Sequence, residues 1–145
     1  MEKITIITST ETFSVRHPVL RAGKPIESCR FEGDDLATTT HLGLFKDNHL
    51  IGMISIFEVK SPLFNDERQF QLRGMAILEE YQKKGFGEKL VRHAEHYLKS
   101  KNASLLWFNA RLIAVEFYKK LGYTIIGEAF IIENIGTHYI MFKKI

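Results

Sequence analysis

Apolar and polar positions along the chain follow two periods, and the change from one to the other marks the elements. Lys3–Thr8 is a β-branched run and reads as a short strand. Thr40–Lys46 and His49–Lys60 read as two strands joined by a turn at Asp47-Asn48. Over Gln69–Leu78 the pattern alternates: Phe70, Leu72, Gly74 and Ala76 on one face, Gln71, Arg73, Met75 and Ile77 on the other. After Gly87 the period lengthens. Leu90, Val91, Ala94, Tyr97 and Leu98 form one helical stripe, and Glu88, Lys89, Arg92, His93, Glu95, His96 and Lys99 take the wet face.

Thr10–Arg21 reads as a helix that Pro18 breaks or kinks, followed by an irregular stretch to Asp35. Ser61–Glu67 is a polar loop. Ser104–Phe108 reads as a buried strand, and Ala110–Leu121 as a helix stopped by Gly122, with Ala114, Phe117, Tyr118 and Leu121 on one face. Tyr123–Ile132 and Thr137–Lys144 are two last strands around the turn-rich segment 133–136. The order β-α-β-β-β-α-β-α-β-β predicts an α/β (α+β) fold, with a mixed central sheet and helices on both faces. With no repeat or linker, residues 1–145 are expected to form one domain.

Composition narrows the classes. Apolar residues are 45% and charged residues 26% of the 145, which fits a globular chain able to bury a core without metal or disulfide. Cys29 is the single cysteine and cannot form an internal disulfide, so a reducing, cytoplasmic setting is expected. The N-terminus turns polar at Thr8-Ser9-Thr10, without the apolar region of a signal peptide. No apolar run approaches the ~18 residues of a membrane span. Net charge is +3, and the basic residues are scattered, so no nucleic-acid face is expected. His93 and His96 have no third ligand in view, and no metal is expected.

The chemistry sits in Gln71–Leu78, then Glu79-Glu80-Tyr81, then Gln82-Lys83-Lys84-Gly85-Phe86-Gly87 and the amphipathic helix. A strand, a basic glycine loop and a helix N-terminus form an anion site, because the first-turn N–H groups point outward and the helix dipole favours negative charge. The plainer alternative is a strand-to-helix turn with two lysines in solvent. The chain has no P-loop motif, and Leu90 stands where a dinucleotide fingerprint has its third glycine.

The Gln-x-x-Gly-x-Gly pattern of Gln82–Gly87 resembles the acyl-CoA pyrophosphate loop of the GNAT superfamily of N-acetyltransferases. Leu106-Trp107-Phe108-Asn109-Ala110-Arg111, Ala114 and Phe117-Tyr118-Lys119-Lys120-Leu121-Gly122-Tyr123 resemble the family's following strand, helix and F-Y-x-x-x-G-[FY] signature. Together they cover Gln69–Gly127. The resemblance implies a splayed sheet, with acetyl-CoA as cosubstrate. The backbone of Met75, Ala76 and Ile77 would pair with the pantetheine arm. The amides of Gln82, Lys83, Lys84, Gly85, Phe86, Gly87 and Glu88 would hold the pyrophosphate. Asn109, Ala114 and Phe117 would line the pantetheine, and Tyr118 would protonate the departing thiolate. The acceptor would be a primary amine of a small molecule or peptide. Small domains of this family often pair, so a homodimer fits the resemblance.

Each assignment has a structural counterpart. Tyr118 lies on the apolar stripe of its own helix and fits a core position equally. The glutamate that some members carry on the central strand is missing, because Gln71 and Arg73 stand there; Glu128 and Glu133 are the candidate distant carboxylates. Arg73 is either a carboxylate clamp for an acidic amine or an exposed arginine. His138 is a base, a substrate contact or a satisfied strand histidine. Arg16, His17, Pro18 and Arg21 are candidates for the acceptor side. A non-catalytic acyl-CoA-binding sensor on the same fold is the alternative to an enzyme.

Overall fold

The computed structural model describes residues 1–145. Its strands are β1 (Glu2–Ile7), β2 (Thr40–Lys46), β3 (His49–Phe57), β4 (Gln69–Ile77), β5 (Leu105–Arg111), β6 (Thr124–Ile132) and β7 (Gly136–Lys144). The helices are α1 (Phe13–Leu20), α2 (Phe86–Ser100) and α3 (Val115–Lys120). The strands form one sheet in the order β1-β2-β3-β4-β5-β7-β6, antiparallel except for β4 beside β5. The expected mixed sheet with helices on both faces is present. No helix is long and apolar enough to cross a membrane.

Two apolar layers fix which helix covers which face. Leu90, Val91, Ala94 and Leu98 of α2 bury against Leu42, Ile54, Leu72 and Phe108, together with Tyr118 and Leu121 from α3's end of the chain. On the other face, Val15 of α1 packs with Ile7, Met53 and Ala76. Each fully buried aliphatic side chain contributes about 1.5–3 kcal/mol. The apolar stripe read from the sequence is the buried face of α2. Glu95, expected on its wet face, is buried instead. It accepts hydrogen bonds from Tyr123 Oη at 2.7 Å and Lys143 Nζ at 3.1 Å, and Arg92 pairs with it from the same helix. A buried carboxylate is tolerable when cations and hydroxyls saturate it in this way.

The alternation of β4 breaks at Gly74. Arg73 pairs with Ser55 and Ala76 with Met53, so β4 carries one extra residue there. Gly74 has φ +72°, and a Cβ on it would meet the Phe31 ring at 2.8 Å. The bulge reverses the phase of the strand. Phe70 and Leu72 face α2, but beyond the bulge Met75 and Ile77 face α2 while Ala76 turns to α1. The sequence pattern had Gly74 and Ala76 continuing the face of Phe70.

β5 also departs from expectation. It runs on through Asn109–Arg111, which pair with Ile140, Tyr139 and His138 of β7, and the helix expected from Ala110 begins only after a 3₁₀ turn at Leu112–Ala114. Ladder hydrogen bonds to a distant strand override local helix preference. The strand expected to reach Lys60 ends at Phe57.

Under the irregular stretch after α1 lies a fully buried guanidinium. Arg16 donates to Asp34 Oδ2 at 2.6 Å and Oδ1 at 3.0 Å, to Cys29 O at 2.7 Å and to Ser55 Oγ at 2.8 Å. His41 Nε2 donates to Asp34 O, which leaves Nδ1 to accept from Ser55 Oγ at 2.6 Å. Burial pushes the Asp34 carboxyl upward, but hydrogen bonds from Arg16 and the Phe31 N–H, and the charge of Arg16, hold it below the ordinary carboxylate range. A carboxyl lowered by folding adds stability above its unfolded pKa of about 3.9, and that stability is lost as pH falls through the folded value. Asp34→Asn is expected to cost about 3–5 kcal/mol near neutral pH by leaving Arg16 buried without its partner. Urea melts from pH 7 to pH 3 should show the gap to wild type narrowing on the acid side. A constant gap would refute this assignment.

Candidate active site

β4 and β5 pair only over Gln69–Gln71 and Leu105–Trp107, and beyond those residues they part. The gap is a cleft of about 480 Å³. Its walls come from both faces of the sheet: Leu72, Phe108, Ala114 and Tyr118 from the α2 and α3 side, Gln71, Arg73 and Phe31 from the α1 side. The edge of β4 facing the gap has no partner strand beyond Gln71, and Gly74 and Met75 lie beside the open space. Peptide groups in that position call for a polar partner.

The glycine loop meets the end of that edge. Lys83 has φ +61° and Gly85 φ +87°, two left-handed residues that turn the chain into α2. Gln82 Nε2 donates to Ile77 O at 2.9 Å and ties the loop to the end of β4. No side chain caps α2, and the first bond of its N-terminus runs from Lys89 N to Gly85 O. The backbone N–H groups of Lys83 through Glu88 therefore donate to nothing in the chain. Together with the dipole of α2 they form a nest for an anion. Gly87 lies against Phe117 and Met75, with 3.3 Å and 3.8 Å from its would-be Cβ to those side chains, so β4, α2 and α3 meet there.

Tyr118 is buried, with its ring 4.3 Å from Phe108 and 5.0 Å from Phe117, centroid to centroid. Burial pushes its phenol above the ordinary tyrosine range, so it stays protonated. Its hydroxyl has no partner in the protein, and Arg16 Nε is the only fully enclosed side-chain polar atom left unpaired. The phenol hydroxyl thus opens to the cleft it lines.

Asn109 and Arg111 project from β5 on the face opposite Tyr118, level with Ile140 and His138 of β7. A register shift between Ile126 and Phe130 bends the β6–β7 hairpin, and Ile132, Ile135 and His138 reach the cleft from it. His138 Nδ1 donates to Gly136 O at 2.8 Å, because a carbonyl can only accept. In the neutral ring that leaves Nε2 with its lone pair and no partner in the protein. Of the residues considered from the sequence, Arg73, Met75, Asn109, Ala114, Tyr118, His138 and Arg21 line the cleft. Glu128 and Glu133 are exposed and line no part of it. Arg16 lies beneath it as a structural ion pair, His17 bonds Lys24 O, and Pro18 is exposed. Arg111, Phe31 and Gln71 also line it and were not singled out as site residues. No group of three or more His, Cys, Asp or Glu residues could hold a metal.

Gly85→Ala adds a methyl that meets nothing within 4 Å, so its cost is that of the left-handed backbone alone. A loss of about 1–2 kcal/mol in urea unfolding is expected, with Gly85→Asn recovering most of it. An unchanged midpoint for the alanine variant would mean that the loop adopts another backbone.

Comparison with known proteins agrees with this geometry. An uncharacterised N-acetyltransferase of Bacillus subtilis, YitI, is 37% identical over 145 residues, spanning 100% of this chain and 97% of its own length. The ribosomal-protein-S18-alanine N-acetyltransferase of Escherichia coli shares the fold at TM-score 0.80 and 17% identity, over 100% of this chain and 94% of its own. A GNAT family acetyltransferase of Elizabethkingia anophelis with acetyl-CoA bound superposes at TM-score 0.70 and 14% identity, over 99% and 98%. Residues 8–123 match the Acetyltransferase (GNAT) family, and the chain belongs to that family of acyl-CoA-dependent acetyltransferases.

Proposed function

We propose that this protein is an N-acetyltransferase that moves the acetyl group of acetyl-CoA onto a primary amine of a small molecule or peptide by direct attack. The observation that carries the reading is the partnerless phenol of Tyr118, opening into a cleft bordered by an unpaired strand edge and a nest of free amides. The amides of Lys83–Glu88 suit a pyrophosphate, with Lys83 and Lys84 adding positive charge. The edge at Met75–Ile77 suits the amide-bearing pantetheine arm, and a backbone N–H there suits the thioester oxygen as it takes on negative charge. Ala114 and Phe117 would flank the arm. A buried, unpaired Cys29 is in keeping with a reducing, cytoplasmic setting.

The acceptor nitrogen attacks the thioester carbonyl carbon, a C–N bond forms and the C–S bond breaks. An alkyl ammonium has a pKa of about 10.4, so the amine must first lose a proton. That first proton passes to solvent, and the free lone pair of His138 Nε2, the base that the cleft offers since no carboxylate lines it, takes the second proton that the nitrogen sheds as the amide forms and returns it to solvent. The sulfur gains a proton from Tyr118 Oη. Burial keeps the phenol protonated, and the same desolvation makes a thiolate in this cleft more basic, so the O–H donates to the sulfur as the C–S bond lengthens and solvent restores the proton afterwards. The products are an amide and CoA thiol.

The lack of a carboxylate in the cleft is also what a non-catalytic acyl-CoA sensor would have. A sensor has no need of a free phenol and a free imidazole nitrogen in one cleft, and this favours turnover. Tyr118→Phe is expected to lower kcat by about 10²-fold in a thiol-release assay, with melting temperature and acetyl-CoA affinity held. If acetyl-CoA binds and no amine releases thiol, the sensor reading replaces this one.

A further inference from the structure

The cleft is a concentration of arginine with nothing acidic to balance it. Of the seven arginines in the chain, Arg16, Arg30, Arg68 and Arg92 each hold a carboxylate. Arg21, Arg73 and Arg111 hold none, and all three line the cleft, where there is no Asp or Glu. Arg73 has its guanidinium 5.2 Å from the Phe57 ring and 5.7 Å from the Phe31 ring, and its side chain makes no hydrogen bond within the chain. Arg21 is braced over Phe31 at 4.9 Å and donates only to the carbonyls of Ser28 and Leu20. Arg111 stands across the gap on β5, opposite His138 of the neighbouring strand. A guanidinium held by aromatic faces with its N–H fork unspent, like that of Arg73, is prepared for a carboxylate, and the fork of Arg111 is likewise unspent.

We propose that the acceptor is an amine that carries a carboxylate, an amino acid or a close relative, with Arg73 and Arg111 taking the carboxylate between them. This deepens the transferase reading and rests on it. The same cations act on the nucleophile: nearby positive charge disfavours the ammonium form and so helps supply the neutral amine. They also repel polycations, so polyamines and aminoglycosides are excluded as acceptors. These arginines lie on the α1 side of the sheet, away from the amide nest at α2, and so serve the acceptor rather than the phosphates of CoA.

The experiment compares amino acids, their carboxamides and polyamines as acceptors in the thiol-release assay, alongside calorimetric binding of acetyl-CoA. Arg73→Gln and Arg111→Gln serve as variants, because neither side chain has a hydrogen bond or ion pair to lose. At least one amino acid should be acetylated, with kcat/KM at least tenfold above that of its carboxamide. Each variant should raise KM for that acid at least tenfold while leaving acetyl-CoA affinity within twofold. Carboxamides or polyamines turned over as well as the acids, or no amino acid turned over although another amine is, would overturn the acceptor class and leave the transferase reading intact. A variant that weakens acetyl-CoA binding tenfold would reassign the arginines to CoA. Failure of acetyl-CoA to bind the wild-type protein would remove both readings together.

Discussion

Two parallel strands that begin as neighbours and then separate set the terms for everything else in this molecule. Beyond Gln71 and Trp107 the edges of β4 and β5 lose each other as partners. Peptide groups left without partners are costly in a dry interior. Here they border a cleft open to water and ligand, so the break in the sheet is tolerated where it is useful. The bulge at Gly74 belongs to the same device. It brings the backbone against Phe31 and turns Met75 toward α2, so one strand presents Arg73 to one face of the sheet and Met75 to the other. Only a residue without a Cβ fits that turn.

The α1 side of the cleft is bordered by a stretch with little regular structure, and the buried Arg16–Asp34 pair gives it a fixed shape. An ion pair sunk in the interior adds little net stability compared with apolar packing, because both charges are stripped of water. It is more discriminating than apolar contact, since its hydrogen bonds close in one arrangement only. Arg16 reaches Cys29, Asp34 and Ser55 at once, and His41 closes the ring of bonds. Phe31 is seated over Arg16 at 4.0 Å. The ring that braces Arg21 and Arg73 is thus itself held by a third, buried arginine.

Much of this was legible in the sequence, and the rest was hidden for identifiable reasons. The helical stripe of α2 and the glycine loop before it are local patterns, and both appear where the residues put them. The order of strands and helices followed from periodicity, and the family resemblance supplied the splay. What escaped depends on distant partners. β5 continues to Arg111 because β7 pairs with it, although Ala110-Arg111-Leu112 reads as helix. Glu95 is buried because Tyr123 and Lys143, far along the chain, come to it. The reversal at Gly74 needs one residue more on β4 than on β3, which strict alternation along a single strand cannot reveal. Arg73 was visible as a departure from the family pattern. That Arg111 faces the same space, and that neither has an acid, required the folded chain.

The cleft passes through the sheet, with Tyr118 reached from one side and Arg73 from the other. A donor lying along the α2 face and an acceptor entering over the α1 face would approach through separate mouths and meet only in the middle. The sheet thus acts as a partition with a single window, opened where β4 and β5 part.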